Sequence, residues 1–170
     1  MIFEPEWEIV ITTKIGAIKI SGKKHYIERI QLPCFKSDYL KNKIPPPSKE
    51  LKNKLKKALF DWFNGYEEEL RDFPHKISGT KFQQMVWMEV KKIPRGTTST
   101  YKEISIKVTG SPKSARAVGG ALKANPLPLL IPCHRVISAS GTLGGFGGSK
   151  KGALEIKKEL LRMEGIKWER

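Results

Sequence analysis

Cysteine is scarce in this chain: two residues in 170, Cys34 and Cys133, far apart and in unlike surroundings. That excludes a disulfide framework, and with no CxxC pair it offers no zinc ribbon. Long apolar runs are missing as well. None approaches the roughly 18 residues a spanning helix needs, and Glu4, Glu6 and Glu8 stand close to Met1 where a signal peptide would carry basic residues. The expectation is a monomeric intracellular, cytoplasmic protein with no membrane partner. Acidic side chains are in deficit, 17 Asp and Glu against 32 Lys and Arg, for a formal net charge of +15. Such a surplus draws polyanions, although a Lys-rich surface selected for solubility has the same composition. Residues 1–78 carry 15 basic and 11 acidic side chains and residues 79–170 carry 17 and 6, so +11 of the excess lies in the second half.

What is present divides the chain near its middle. Apolar and polar residues alternate around Trp7 to Thr13, Ile15 to Ile20 and Tyr26 to Leu32, punctuated by Gly16 and Gly22, which predicts antiparallel strands. Pro45, Pro46 and Pro47 interrupt regular structure before Ser48 caps a helix whose Leu51, Leu55, Ala58, Leu59 and Trp62 recur at helical spacing. His25, Cys34 and His75 follow no metal-ligand spacing. The segment from Glu67 to Gly79 has the composition of a connection, so we expect an N-terminal α/β domain at residues 1–76 and a second domain at 77–170. The predicted class is α+β: a small antiparallel sheet with a helix, then a mainly helical domain.

In the second half, Thr80 with Gln83 and Thr100 with Glu103 stand at capping-box spacing. The first opens a helix bearing Phe82, Met85, Val86 and Val90. The second opens one with Tyr101, Ile104, Ser105 and Val108 on one face, closed by Gly110. Ser111 and Pro112 then start another, whose Ala115, Val118 and Leu122 form a narrow apolar stripe. Two short helices joined by a tight turn match helix-turn-helix, winged-helix-like arithmetic. The opposite face of the second helix combines Lys113, Arg116 and Lys123 with Ala117, Gly119 and Gly120. Small residues and cations suit close approach to a nucleic-acid groove; tight helix packing is the equal alternative at this point.

Beyond that pair lies Asn125-Pro-Leu-Pro-Leu-Leu-Ile-Pro-Cys133-His134-Arg135-Val136, a proline-stiffened apolar stretch ending in a thiol beside a base and a cation. Either neighbour can favour the thiolate, yet a cysteine among apolar residues is more often inert core.

The string Pro-Cys-His-Arg-Val resembles the active-site region of the O6-alkylguanine-DNA alkyltransferases. The resemblance extends to Ser114-Ala-Arg-Ala-Val-Gly-Gly-Ala121, Phe82-Gln-Gln-Met-Val-Trp87, Gly96-Thr-Thr-Ser-Thr-Tyr101, the glycines from Gly141 to Gly148, and Leu160-Leu-Arg-Met-Glu164-Gly165. It covers nearly all of the second half and no motif of the first. It implies stoichiometric transfer of an alkyl group from O6-alkylguanine, or O4-alkylthymine, in duplex DNA to Cys133, with no cofactor and no metal.

By the same resemblance His134 is the base acting through a water, Glu164 orients it, and Asn125 is a hinge tying the active-site turn to the helix pair. Arg116 would fill the place of a flipped nucleotide, with Tyr101 on the flanking phosphate and the base. Thr100, Lys102, Ser111, Ala117, Gly119, Gly120 and Lys123 would meet DNA in the minor groove. Val136, Phe146 and Gly147 would line the guanine pocket. Phe146 stands where the family often has tyrosine, which removes one hydroxyl. Taken without the resemblance, Glu164 reads as a surface charge at a helix end. A non-catalytic sensor of alkylated DNA, a winged-helix regulator and a cysteine hydrolase are the competing readings. The first is set against the presence of Cys133, the second leaves Pro132 to Val136 without purpose, and the third lacks an oxyanion hole.

Overall fold

A computed structural model describes residues 4–33, 44–147 and 152–167, which cluster into two compact units, residues 1–77 and 78–170. In the first, β1 (Trp7–Thr13), β2 (Gly16–Lys23) and β3 (Tyr26–Gln31) form an antiparallel sheet in the order β1-β2-β3. Ile9 pairs with Ile20 and Ile20 with Ile30, so the inward positions of all three strands stack on one face. Alternation along the strands buries Trp7, Ile9, Ile18, Ile20, Ile27 and Ile30. Each such side chain stabilises the unit by about 2 kcal/mol. Helix α1 (Lys49–Phe63) is capped by Ser48, whose Oγ accepts from Leu51 N, and it buries Leu55, Ala58, Leu59 and Trp62.

Two details differ from the sequence expectation. Gly22 does not end a strand: it lies inside β2, at a register shift opposite β3, where a Cβ would stand 2.0 Å from the Tyr26 carbonyl oxygen. The segment from Glu67 to Gly79 is also more than a connection, since Glu68–Arg71 forms the short helix α2 and buries Leu70. Lys76 N donates to Ile27 O, continuing the sheet's bonding past that helix. Cys34 lies outside the described residues.

The second unit is mainly helical. Helix α3 (Lys81–Lys91) begins at a complete Thr80–Gln83 capping box. Its buried side chains are Val86, Trp87 and Val90, whereas Met85 is exposed, because the helix turns the large indole inward. Trp87 Nε1 donates to Ala121 O at 2.9 Å. Strand β4 (Ser99–Thr100) leads straight into α4 (Tyr101–Thr109), again through a full capping box, Thr100 with Glu103. Gly110 closes α4 at φ 72°, a left-handed conformation that costs glycine nothing. Pro112 does not open an α-helix directly. Pro112–Ser114 is a single 3-10 turn capped by Ser111, and α5 (Ala115–Lys123) follows it. The turn between α4 and α5 is fastened by Ser105 Oγ and Thr109 Oγ1, which both donate to Ser111 O. After α5 come a 3-10 turn at Cys133–Arg135, strand β5 (Val136–Ile137) parallel to β4, and α6 (Ala153–Met163). Among the described residues no helix is long and apolar enough to cross a membrane.

Candidate active site

The site is assembled at the end of α5. Asn125 accepts from Leu127 N at 3.0 Å through Oδ1 and donates to Ile131 O at 2.9 Å through Nδ2, so one amide closes the whole proline-rich turn. Leu127, Leu129, Leu130 and Ile131 are buried and hold that turn down. Cys133 N then donates to Ile131 O, and the 3-10 turn begins with the thiol on the wall of a cavity of about 360 Å³. Cys133 is 8% exposed. Tyr101, Arg116, Gly119, Lys123, Phe146 and Gly147 share the cavity, with Arg116 and Lys123 exposed at its mouth. Burial pushes the thiol above its ordinary pKa, against the lowering effects of the Asn125 side chain and the charge of Lys157.

Below the thiol lies a charged network cut off from water. His134 Nε2 is 2.9 Å from Glu164 Oε1, with both side chains at or below 1% exposure. An ionised carboxylate only accepts, so Nε2 carries the hydrogen, and Nδ1 is the basic nitrogen of the neutral ring. Arg135 meets the same carboxylate in a fork, Nε to Oε2 at 2.9 Å and Nη2 to Oε1 at 2.8 Å, and donates from Nη1 to Ile93 O. Gly96 N donates to Oε2 at 3.3 Å, and Arg95 Nη1 stands 3.9 Å from Oε1. Burial alone would raise the Glu164 pKa, but the hydrogen bonds and charges of His134 and Arg135 prevail and take it down to about 2. Burial depresses the His134 pKa, and the Glu164 hydrogen bond and charge oppose that without overturning it; Arg135 and Lys157 add to the depression. At neutral pH the imidazole is uncharged and fit to act as a base.

Most sequence-chosen residues converge here. Tyr101 is half-buried and donates from its hydroxyl to Gly145 O at 3.0 Å. Phe146 is buried on the cavity wall beside Gly147. On α5, Arg116, Ala117, Gly120 and Lys123 are exposed and Gly119 is partly so. The two glycines answer no packing need: a Cβ on Gly120 would meet nothing within 4 Å, and one on Gly119 would touch the Tyr101 ring at an ordinary 3.8 Å. Lys102 is exposed, while Thr100 and Ser111 spend their hydroxyl oxygens on capping, accepting from Glu103 N and Lys113 N.

Three readings change. Val136 is fully buried and absent from the cavity wall; its carbonyl accepts from Lys157 Nζ at 2.6 Å. Arg135 does not face the thiol, because its guanidinium is committed to Glu164. Glu164 is no surface charge, since its side chain is wholly enclosed. Lys157 and Gly144 were not singled out from sequence. Lys157 left one signal, a lysine in the apolar stripe Ala153, Leu160 and Leu161 of an amphipathic helix. Gly144 lies at φ 67°, and a Cβ there would stand 2.8 Å from the Tyr101 ring.

A thiol on a cavity wall, with a neutral histidine next to it in sequence and a cationic helix at the cavity mouth, is the arrangement of a nucleophile that can meet a group on a large anionic partner. Residues 81–166 match the family model for the 6-O-methylguanine DNA methyltransferase DNA-binding domain. The chain is 36% identical to the methylated-DNA–protein-cysteine methyltransferase of Methanosarcina acetivorans over 92% of its own length and 96% of that protein's. It is 42% identical to the Haemophilus influenzae methyltransferase over 66% of its length, spanning 60% of that relative. A crystal structure of Mycobacterium tuberculosis OGT in complex with DNA superposes with a TM-score of 0.75 at 33% identity, covering 92% of this chain and 91% of that one. This chain belongs to the methylated-DNA–protein-cysteine methyltransferase family.

Proposed function

We propose that the protein repairs O6-alkylguanine in duplex DNA by moving the alkyl group to Cys133 Sγ, each molecule acting once. The observation that carries this is the thiol's position on the wall of a cavity whose mouth bears Arg116 and Lys123. A base inside a stacked duplex cannot reach such a thiol, so the nucleotide must leave the stack and enter the cavity. In this reading Arg116, exposed beside the cavity, occupies the gap it leaves, and the exposed Ala117 and Gly120 let the α5 backbone come close to the minor groove. Lys102, Lys123 and the hydroxyls of Thr100 and Ser111 suit phosphate contacts. This makes α4 and α5 a helix-turn-helix used for docking.

In the chemical step the thiol proton passes through a water to His134 Nδ1, and the sulfur attacks the alkyl carbon. The bond from that carbon to guanine O6 breaks, and the guanine takes a proton in return. Glu164, its pKa held near 2 by the hydrogen bonds and charges of His134 and Arg135, stabilises the transient imidazolium without removing its proton. The product is a thioether that nothing in the site can hydrolyse. Every group this step uses comes from residues 78–170, so the reading requires no second copy of the protein.

Mixing the protein with a duplex carrying one O6-methylguanine, followed by intact-mass measurement, tests this directly. The expected result is a gain of one methylene mapped to Cys133 and absent in Cys133→Ala. Tight binding to the damaged duplex without a mass gain would instead identify a sensor, and equal affinity for damaged and plain duplex without transfer would identify a regulator.

A further inference from the structure

A buried thiol whose ionisation is opposed by its surroundings needs a positive charge if it is to react, and its sequence neighbours do not provide one. Arg135 is bound in a fork to Glu164 and to Ile93 O. His134 is neutral at rest, held so by burial. Arg116 and Lys123 are exposed to solvent at the cavity mouth, but among the described residues a buried cation stands on another element. Lys157 of α6 has no solvent exposure, yet its Nζ donates to Val136 O at 2.6 Å, Leu143 O at 2.6 Å and Gly145 O at 3.4 Å. The same nitrogen stands 6.0 Å from the Tyr101 ring centroid and 5.9 Å from that of Phe146, both cavity walls shared with Cys133. Three carbonyl acceptors require donors, and a fully buried lysine retained only for packing would be costly.

We propose that Lys157 is the positioning residue and counter-charge of the reaction: its ammonium pins the loop from Leu143 to Gly145 as one wall of the cavity and electrostatically favours the Cys133 thiolate at the moment of attack. This rests on the reading of Cys133 as alkyl acceptor. The titratable groups facing the amine are Cys133 and His134 from the 3-10 turn and Tyr101 from α4, with Glu164 bound to His134 and Arg135 bound to Glu164. Burial brings the Lys157 pKa down to about 8, and the negative charge of Cys133 opposes that fall. The two groups therefore favour one another's charged forms. The counter-charge is present at neutral pH and is withdrawn as pH rises past about 8.

The test is capping of Cys133 by iodoacetamide in the full chain without DNA, followed by peptide mass so that Cys34 is scored separately, from about pH 6 to about pH 10. Removing one nearby unit charge shifts a pKa by about one unit, so Lys157→Met is expected to react about tenfold more slowly near neutrality. The gap should narrow above pH 8, where the parent loses its own ammonium, and Lys157→Arg should recover most of the neutral rate. Equal rates at every pH overturn the proposal. So does a deficit that stays constant with pH, which would mark a purely structural lysine. Should the variants fail to fold, the parent decides: the Lys157 13Cε titration should move to lower pH once Cys133 carries a methyl group, and an unmoved titration is equally fatal. Iodoacetamide needs neither DNA nor alkylguanine. Lys157-dependent capping without transfer from damaged DNA would thus refute the proposed function and leave the counter-charge standing.

Discussion

Glu164→Gln keeps the shape of the buried carboxylate and removes its charge, leaving the Arg135 guanidinium enclosed without its anion. The expected cost follows from the ionisation of the glutamate. Its pKa falls from 4.5 to about 2 in the folded chain, a shift that corresponds to about 3 kcal/mol of stability. Leaving one partner of a buried pair alone costs about 3 to 5 kcal/mol, which agrees. The sign is set by the direction of the shift. A carboxyl whose folded pKa is depressed contributes its full stabilisation above pH 4.5 and loses it as pH falls toward 2. Urea denaturation followed by circular dichroism at pH 7 and at intervals down to pH 3 should show a deficit of about 3 kcal/mol or more at neutrality, shrinking as the parent approaches protonation. A deficit under about 1 kcal/mol at pH 7, or one that ignores pH, would refute the account of this network.

Gly120→Ala should raise stability by about 0.5 to 1 kcal/mol, since the new methyl meets nothing and the helix gains propensity, yet it should weaken duplex binding measured by fluorescence anisotropy. If affinity is unchanged, the glycine is not there for close approach. Asn125→Ala removes both turn hydrogen bonds and the side-chain support of the thiol, so a loss of about 1 to 3 kcal/mol by urea denaturation should accompany slower iodoacetamide capping of Cys133.

The elements that sequence could foretell are those whose signals are local. Thr80 with Gln83 and Thr100 with Glu103 each announce a helix start because cap and partner lie within one turn, and the β1 to β3 alternation needs only near neighbours. That His134 and Glu164 meet beside Cys133 was legible through a motif. What escaped was non-local. The partner of Arg135 lies 29 residues away and that of Lys157 lies 21 away, and neither commitment can be inferred from composition or spacing. Gly22 was misjudged for another reason: the Tyr26 carbonyl that forbids its side chain is near in sequence but closes on it only through the register shift between β2 and β3. The helix at Glu68–Arg71 is too short, and too acidic beside a proline, to show a periodic pattern.

The reach of the reactive chamber is governed by Gly144, whose missing Cβ lets the main chain lie against the Tyr101 ring. Around that chamber Ala115, Gly119, Gly145 and Gly147 have almost nothing left to trim. Anyone wishing to admit bulkier adducts by mutagenesis can prune only at Tyr101, Arg116, Leu122, Lys123 and Phe146; the other lever is to displace backbone, through the length of the glycine-rich loop.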